Sequence, residues 1–470
     1  MTGSAAGSYR GRSVLVAGAG LSGVAAAEVL LRLGAWVTVT DRLASARTEA
    51  LTALGATVAL ELSAVPAGIE QVVTSPGWRP DHPVLSDAAA RGVEVIGEIE
   101  LAWRLRGPAA APWLAVTGTN GKTTTVEMLA AILRAAGLRT VAAGNIGRPL
   151  VQVVGEPYDV LAVELSSFQL HWSSTVVPQA AAVLNIAADH LDWHGTLERY
   201  AADKGKIFAP GTVAVYNADE PSAARLAGGP GAGLTLGPPA AGFTLGPPAA
   251  GFTLGPPAAG QLGVVEGVLV DRAFGRGEFA AAADIALPGP HNIANALAAA
   301  GLAFSSGVRA SAADTGLRAF HPGPHRNSLV GALDGVRYVD DSKATNPHAA
   351  AASLAAYDRV VWVAGGLLKG ADVDDLVGAV ASRLAGVVLL GADRSAIADA
   401  LARHAPDVPV VDVDRTDDGA MQYAVDRAAG MARPGDVVLL APAAASMDMF
   451  SDYGARGDAF VAAARRRGVA

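Results

Sequence analysis

The sequence predicts a three-domain α/β protein, with Rossmann-like first and last domains flanking a central α/β domain of a different kind. Three observations lead there. A chain of 470 residues corresponds to about three domains of ~150 residues. Short apolar runs of strand length alternate with segments of helical spacing along most of it. Two proline–glycine breaks, at 106–112 and 321–324, divide it, so the expected domains are 1–106, 107–322 and 323–470.

In the first domain, Ser13–Ala17 is an apolar run, 21–33 has helical spacing with Gly34 placed as its C-cap, and Trp36–Thr40 is the next strand. Weaker strands follow at 57–60 and Gln71–Thr74, and Ser75-Pro76-Gly77 reads as a turn. After the linker come a strand at 113–116, a helix from Lys122, strands at 159–164 and 181–186, and a helix at 197–208. Between Gly233 and Ala259 the unit G-[LF]-T-L-G-P-P-A-A occurs three times. It is too short and too proline-rich an array for a solenoid, and reads as a copied strand-plus-turn unit forming a surface excursion. A helix at 292–303 precedes the second linker. Strands at Val336–Asp340, Val360–Ala364, 386–390, 410–413 and 436–440 follow, separated by alanine-rich helices. Such alternation implies parallel sheets.

Composition narrows the function. Hydrophobic residues at 51% against 17% charged provide for several cores. A net charge of −8 argues against a broad basic surface for nucleic acid. The absence of cysteine removes disulfides, zinc–thiolate sites and thiol nucleophiles. The first residues lack a signal-peptide pattern and no apolar stretch is long enough to span a membrane, so a cytoplasmic protein is expected, free of membrane and nucleic-acid partners. Of 36 basic residues only Lys122, Lys204, Lys206, Lys343 and Lys369 are lysines. In a chain that otherwise uses arginine, a retained lysine hints that an amine is required.

Gly18-Ala19-Gly20-Leu21-Ser22-Gly23 follows a strand and opens a helix, and Asp41 ends the next strand 18 residues after Gly23. These glycines admit a pyrophosphate to a helix N-terminus, and Asp41 is placed to accept a ribose hydroxyl. Taken alone, this fingerprint fits an NAD-dependent oxidoreductase, another nucleotide diphosphate, or merely a tight strand–helix turn. In the second domain, a strand runs into Thr117-Gly118-Thr119-Asn120-Gly121-Lys122-Thr123-Thr124 and then a helix. Backbone N–H groups there can wrap phosphates, Lys122 can neutralise them, and Thr123 can ligate Mg²⁺. Val116 stands where the general phosphate loop has its first glycine. The central domain is thus expected to be a P-loop-type ATPase with a shortened loop.

That loop resembles the ATP loop of the Mur ligases and their folylpolyglutamate synthetase relatives. Further blocks of the family occur in order: Gly144-Asn145-Ile146-Gly147, Glu164-Leu165-Ser166-Ser167-Phe168-Gln169-Leu170, Asn185 through Asp189-His190-Leu191-Asp192, His291-Asn292-Ile293-Ala294-Asn295-Ala296, His325-Arg326, Asp341-Ser342-Lys343-Ala344-Thr345-Asn346, and Pro442 through Ser446. They span nearly the whole chain, with the proline repeat outside the pattern. One departure is Pro442-Ala443-Ala444-Ala445-Ser446, where relatives often carry a cysteine. Combined with a Rossmann-like first domain, which folate-type relatives lack, the blocks are most similar to members that add D-glutamate to UDP-N-acetylmuramoyl-L-alanine. The alternatives are another Mur-type amino-acid ligase or, in a different class, the NAD-dependent oxidoreductase.

The resemblance implies that ATP phosphorylates the alanyl carboxylate and that the amine of D-glutamate attacks the acyl phosphate, in peptidoglycan precursor synthesis and so in cell-wall biogenesis, cell shape and division. It reassigns the first-domain fingerprint to UDP binding, with Gly18, Gly20, Leu21, Ser22, Gly23, Asp41, Arg42, Ser75, Pro76, Gly77, Asn145, Ser166 and Gln169. ATP falls to Gly118, Thr119, Asn120, Gly121, Lys122, Thr123, Thr124, Asn292, Asn295, Arg326 and Asp341. D-glutamate falls to Lys369, Ser446 and Tyr453. The implied catalytic set is Lys122, Glu164, His190, Lys204, Arg326, Asp341 and Lys343. The implied ligands of Mg²⁺, two ions, are Thr123, Glu164, His190 and Lys204, although a histidine departs from the preference of Mg²⁺ for oxygen. Lys204 shares the apolar stripe of its helix with Leu197, Tyr200, Ala201 and Ile207/Phe208, whereas Lys206 points away as ordinary surface. An inward lysine loses its charge more easily and can capture CO₂ as a carbamate, the modification that the family carries at the matching position. A monomer is expected, with both linkers allowing domain closure.

Overall fold

The computed structural model describes residues 9–228, 249–287, 289–417 and 419–470. Its strands form three sheets. The first is all parallel, in the order Thr57–Val58, Trp36–Thr40, Ser13–Ala17, Gln71–Thr74, Glu94–Gly97. Strand order reverses beside the Ser13–Ala17 strand, the place where doubly wound sheets bind ligands. The glycine fingerprint lies at that point because it follows this strand directly.

The central sheet has nine described strands. Thr140–Gly144, Val160–Glu164, Trp113–Thr117, Ala180–Val183, Val213–Asn217, Ala249–Phe252 and Gln261–Val265 run parallel, and Val268–Asp271 and Gly277–Ala281 close it as antiparallel edges. The strand expected at 181–186 leaves the sheet after Val183. Leu184 N–H still bonds the Thr117 carbonyl at 3.0 Å, but Asn185 turns to the phosphate loop. The helix expected at 197–208 is Leu197–Gly205, and Ile207 and Phe208 remain buried beyond its end.

The repeat requires a correction. Its first copy and most of its second fall outside the described residues. The third is a strand plus a turn, as expected, and its Leu254, Pro256 and Ala258 are exposed, but its start is no excursion: Gly251 and Phe252 lie in the Ala249–Phe252 strand, and Phe252 is 1% exposed. An aromatic of that size is worth more inside the core than on a loop.

The third sheet has the order Ser328–Leu333, Val336–Asp340, Val437–Leu440, Val360–Ala364, Leu384–Leu389, Val410–Asp412, with Ser328–Leu333 alone antiparallel. The chain divides into two compact units. One comprises 1–186, 193–284 and 294–319, and the other 187–192, 285–293 and 320–470. The first two sheets therefore share a unit, and the 106–112 segment is fastened within it. Arg106 stacks 3.9 Å from the Trp103 ring and donates to the Ala111 carbonyl. Glu98 accepts from Val151 N–H at 2.7 Å, and Glu100 from Ser174 and Thr175 N–H at 2.8 and 3.0 Å. No helix among the described residues is long and apolar enough to cross a membrane.

Candidate active site

In the first sheet, Gly18 has φ +100° and donates its N–H to Thr40 O at 2.8 Å. A Cβ on Gly23 would lie 1.8 Å from the Gly18 carbonyl, so this helix can start this close to the strand only with glycine. Ser75 Oγ donates to Gly18 O at 3.1 Å, which ties the Ser75–Gly77 turn to the cradle. Asp41 accepts from Ala19 N–H and Arg42 N–H, both at 2.7 Å, so its carboxylate shapes the loop in this structure. A pocket opens beside them, bordered by Ala19, Gly20, Asp41 and residues 42–47, the last two of which begin the Ala46–Ala53 helix, while Leu21 and Ser22 begin the Leu21–Arg32 helix. Unpaired N–H groups at such a helix start suit a phosphate.

The phosphate loop joins the Trp113–Thr117 strand to the Lys122–Ala135 helix. Gly118 and Gly121 take φ +153° and +83°, and Asn185 clamps the loop through Asn120 N–H to its Oδ1 at 2.8 Å and Thr119 N–H to its carbonyl at 3.0 Å. Lys122 Nζ folds back onto Gly118 O and Thr119 O at 2.9 and 2.8 Å. Thr123 and Thr124 are buried in the first helical turn. Lys204 is 1% exposed and donates to the same Gly118 carbonyl at 2.8 Å. It lies 4.6 Å from the Tyr200 ring, and the Tyr200 hydroxyl meets Thr119 Oγ1 at 3.0 Å. Its amine is thus enclosed beside the loop and does not reach out to solvent.

Glu164 ends the Val160–Glu164 strand, buried. Asn145 Nδ2 donates to its Oε1 at 2.7 Å, while Oε2 is buried with no partner among the described residues. A Cβ on Gly144 would lie 2.3 Å from Glu164 O, which explains the glycine before Asn145. A buried carboxylate oxygen left unpaired is costly and fits a cation as its missing partner. Among the described residues there is no group of three or more His, Asp or Glu able to hold a metal, so Glu164 would need hydroxyl and lysine-derived oxygens beside it.

Ser166 and Gln169 form a capping box at the start of the Ser167–His171 helix, with Ser166 N–H donating to Gln169 Oε1 at 2.9 Å and Gln169 N–H to Ser166 Oγ at 3.2 Å. Sequence reasoning missed what holds this helix. Asp203 Oδ2 meets Nδ1 of both His171 and His194, at 2.9 and 3.0 Å, and Oδ1 pairs with Lys206 at 2.9 Å. His194 Nε2 meets Ser167 Oγ at 3.0 Å. Burial would raise the Asp203 carboxyl, but the hydrogen bonds from His171, His194 and Lys206 outweigh it and hold it far below the carboxylate range. Lys206, expected as ordinary surface, also donates to the His171 carbonyl at 2.9 Å. The available signal was slight: His194 stands nine residues before Asp203, which directly precedes the inward lysine, but His171 is 32 residues away. Asn295 is buried against the loop, its Oδ1 2.5 Å from where a Gly121 Cβ would lie.

In the second unit, His190 adopts φ +53° and donates its N–H to Asp189 Oδ1 at 2.9 Å. Asn292 lies one turn before Asn295 in the Pro290–Ser305 helix, with its amide 2.9 Å from His291 Nε2. Arg326 is held between His325 and Asn327, both in left-handed backbone. His325 Nδ1 meets Asp340 Oδ2 at 2.6 Å, and Asn327 N–H donates to Asp341 Oδ1 at 3.2 Å. Burial pushes the Asp341 carboxyl up to about 6. Lys343 Nζ sits 4.5 Å from the Tyr453 ring and 3.3 Å from its hydroxyl. Ser446 is buried, and Lys369 is exposed with φ +54°. The buried Arg456, which sequence reasoning also missed, donates to Ser342 O and Oγ and to Ala444 O at 2.8, 3.0 and 3.0 Å. It thereby ties the block bearing Lys343 to the loop bearing Ser446.

Three family models match: a Mur ligase MurD-like N-terminal domain over residues 12–97, the Mur ligase middle domain over 116–232, and the Mur ligase glutamate ligase domain over 325–444. A UDP-N-acetylmuramoylalanine–D-glutamate ligase of Streptomyces avermitilis is 58% identical across 98% of this chain and 99% of its own. That of Thermobifida fusca is 58% identical across 96% and 97%. Among solved structures, the UDP-N-acetylmuramate–alanine ligase of Thermotoga maritima aligns with a TM-score of 0.59 at 18% identity, across 97% of this chain and 99% of that one.

Proposed function

We propose, from the premise that the chain belongs to the Mur ligase family, that this ATP-dependent ligase adds D-glutamate to UDP-N-acetylmuramoyl-L-alanine in peptidoglycan precursor synthesis. The observation that carries the reading is the convergence of Lys122 and Lys204 on one carbonyl of the phosphate loop, with the unpaired Glu164 oxygen on the neighbouring strand.

In the proposed reaction a carboxylate oxygen of the alanyl group attacks the γ-phosphorus of ATP, and ADP leaves. The amine of D-glutamate then attacks the acyl carbon, phosphate leaves, and the nitrogen loses a proton. Lys122 binds the transferring phosphoryl group and offsets its charge. The loop N–H groups orient the β- and γ-phosphates, and Arg326, Asp341 and Lys343 act on nucleotide and phosphate. Asn292 and Asn295 present amides to the adenine. The cradle from Gly18 to Gly23, with Arg42, the Ser75–Gly77 turn, Asn145, Ser166 and Gln169, holds the UDP substrate. Lys369, Ser446 and Tyr453 bind D-glutamate.

Mg²⁺ supplies charge neutralisation at the phosphates. Thr123, Glu164, His190 and a carbamate on Lys204 are the groups proposed to hold it. The Glu164 oxygen supports this, since among the described residues no bond offsets its burial.

The test is phosphate release from ATP with UDP-N-acetylmuramoyl-L-alanine while candidate amino acids are scanned. D-glutamate should stimulate release and L-glutamate, lysine and D-alanine should not. Stronger stimulation by another amino acid would overturn the substrate assignment.

A further inference from the structure

At the carboxyl ends of three parallel strands in the third sheet, three loops are joined in a closed ring. The first loop, after Val360–Ala364, carries Gly365, Gly366 and Lys369. The second, after Leu384–Leu389, carries Gly391 and Asp393. The third, after Val437–Leu440, carries Ser446 and Asp448. Leu367 and Ala445 exchange two backbone hydrogen bonds of 2.8 and 2.9 Å, linking the first loop to the third. Asp393 Oδ2 accepts from Leu368 N–H at 2.8 Å, and Asp393 N–H returns to Gly366 O at 3.0 Å, linking the second to the first. Asp448 Oδ2 accepts from Ala392 N–H at 2.7 Å, linking the third to the second.

The backbones touch within this ring. A Cβ on Gly365 would lie 1.8 Å from Leu390 O, one on Gly366 2.1 Å from Ala445 O, and one on Gly391 2.6 Å from Gly366 N. Such contact leaves little room for one loop to move alone. Two of the loops carry candidate amino-acid ligands, Lys369 and Ser446, whereas the middle loop carries none. Its side chain of consequence is Asp393, which grips the residue directly before Lys369. Lys369 sits in a left-handed backbone conformation, φ +54°, that a lysine keeps only when its neighbours are fixed.

We propose that Asp393 is a positioning residue for the amino-acid substrate. Through Leu368 N–H it sets where Lys369 presents its ammonium, and Asp448 holds the middle loop for that purpose. The inference rests on the reading of Lys369 and Ser446 as the amino-acid site.

The test measures all three substrate KM values and kcat for Asp393→Ala, Asp393→Asn and Gly391→Ala. Losing one charge-assisted hydrogen bond at this point should raise KM for D-glutamate about tenfold. KM for ATP and for the UDP substrate should stay within about twofold. The oxygen of Asp393→Asn still accepts from Leu368, so most of the affinity should return in that variant. If Asp393→Ala gives no cooperative melting transition, Gly391→Ala is read in its place, because its methyl presses the same loop against Gly366. Unchanged KM for D-glutamate in a folded variant overturns the proposal. So does a uniform change in all three KM values with a matching fall in melting temperature, which would mark a purely structural role. A wild-type scan of amino acids is run first. If another amino acid proves to be the substrate, the substrate reading fails, and the ring is judged by the KM of that amino acid.

Discussion

Replacing Glu98 by glutamine tests how the first two sheets are joined. Glu98 opens the Glu98–Arg104 helix and is buried, with Oε1 accepting from Val151 N–H and Oε2 unpaired among the described residues. Burial pushes its carboxyl from 4.5 up to about 7. An acid whose folded pKa is raised holds its proton more tightly when folded. Stability therefore falls as pH rises through the window between these two values, and above it the loss is complete. A displacement of that size corresponds to about 3 kcal/mol when the group is fully ionised, of which about 2.5 kcal/mol develops between about pH 5 and pH 8. Glu98→Gln removes the titration while its amide oxygen can still accept from Val151. Melting temperatures of both proteins should be measured across that range. The variant should gain on the wild type as pH rises, by roughly 3–5 °C at about 1–2 °C per kcal/mol for a folding unit of this size. A difference that stays flat with pH would refute the argument, and would mean that Glu98 is hydrated or otherwise paired when ionised.

Lys122→Ala should abolish ATP turnover yet leave UDP-sugar binding near wild type by calorimetry, because the Gly18–Gly23 cradle belongs to another sheet; equal loss of both would show the sites are not separate. Lys204→Ala should be nearly inactive and regain part of its activity with added formate or acetate, which restore an anionic oxygen donor in the vacated space. Lys206→Ala, whose exposed ammonium makes an ion pair of modest worth, should retain most activity. Near-normal turnover by Lys204→Ala without any additive would remove that residue from the metal site.

What could be read ahead of the structure followed a pattern. Strands such as Ser13–Ala17 and Val360–Ala364 were legible because buried parallel strands are short, continuous apolar runs, and Trp36–Thr40 because its buried valines alternate with threonine. Thr140–Gly144 and Val213–Asn217 were not, since alanine and mixed polarity blur the same signal. The 181–186 run was overextended because Leu184 and Ile186 are apolar whether or not they stay in the ladder. What ended the strand was Asn185, whose three bonds to the phosphate loop leave no trace in hydropathy. Lys204 was found by its helical phase, which burial depends on directly. Asp203 and Arg456 escaped because each has a partner far along the chain: His171, 32 residues away, for one, and Ser342, 114 residues away, for the other. Spacing along the chain reports faces of elements. It does not report which distant loops a single side chain fastens together.

The third copy of the nine-residue unit carries a consequence for inheritance. Each copy ends in the same Pro-Pro-Ala-Ala, and the second and third begin with the same Gly-Phe-Thr-Leu, so residues 240–250 and 249–259 are letter for letter the same eleven. Whether the second or the third copy stands last, the sheet receives Ala-Ala-Gly-Phe followed by the turn that leads to Gln261. Replication slippage in such a tract adds or removes units of nine codons, and the residues that join Val213–Asn217 to Gln261–Val265 stay the same after each event. The loss or gain of one such unit therefore changes the length of the chain and leaves the strand that the sheet receives unaltered.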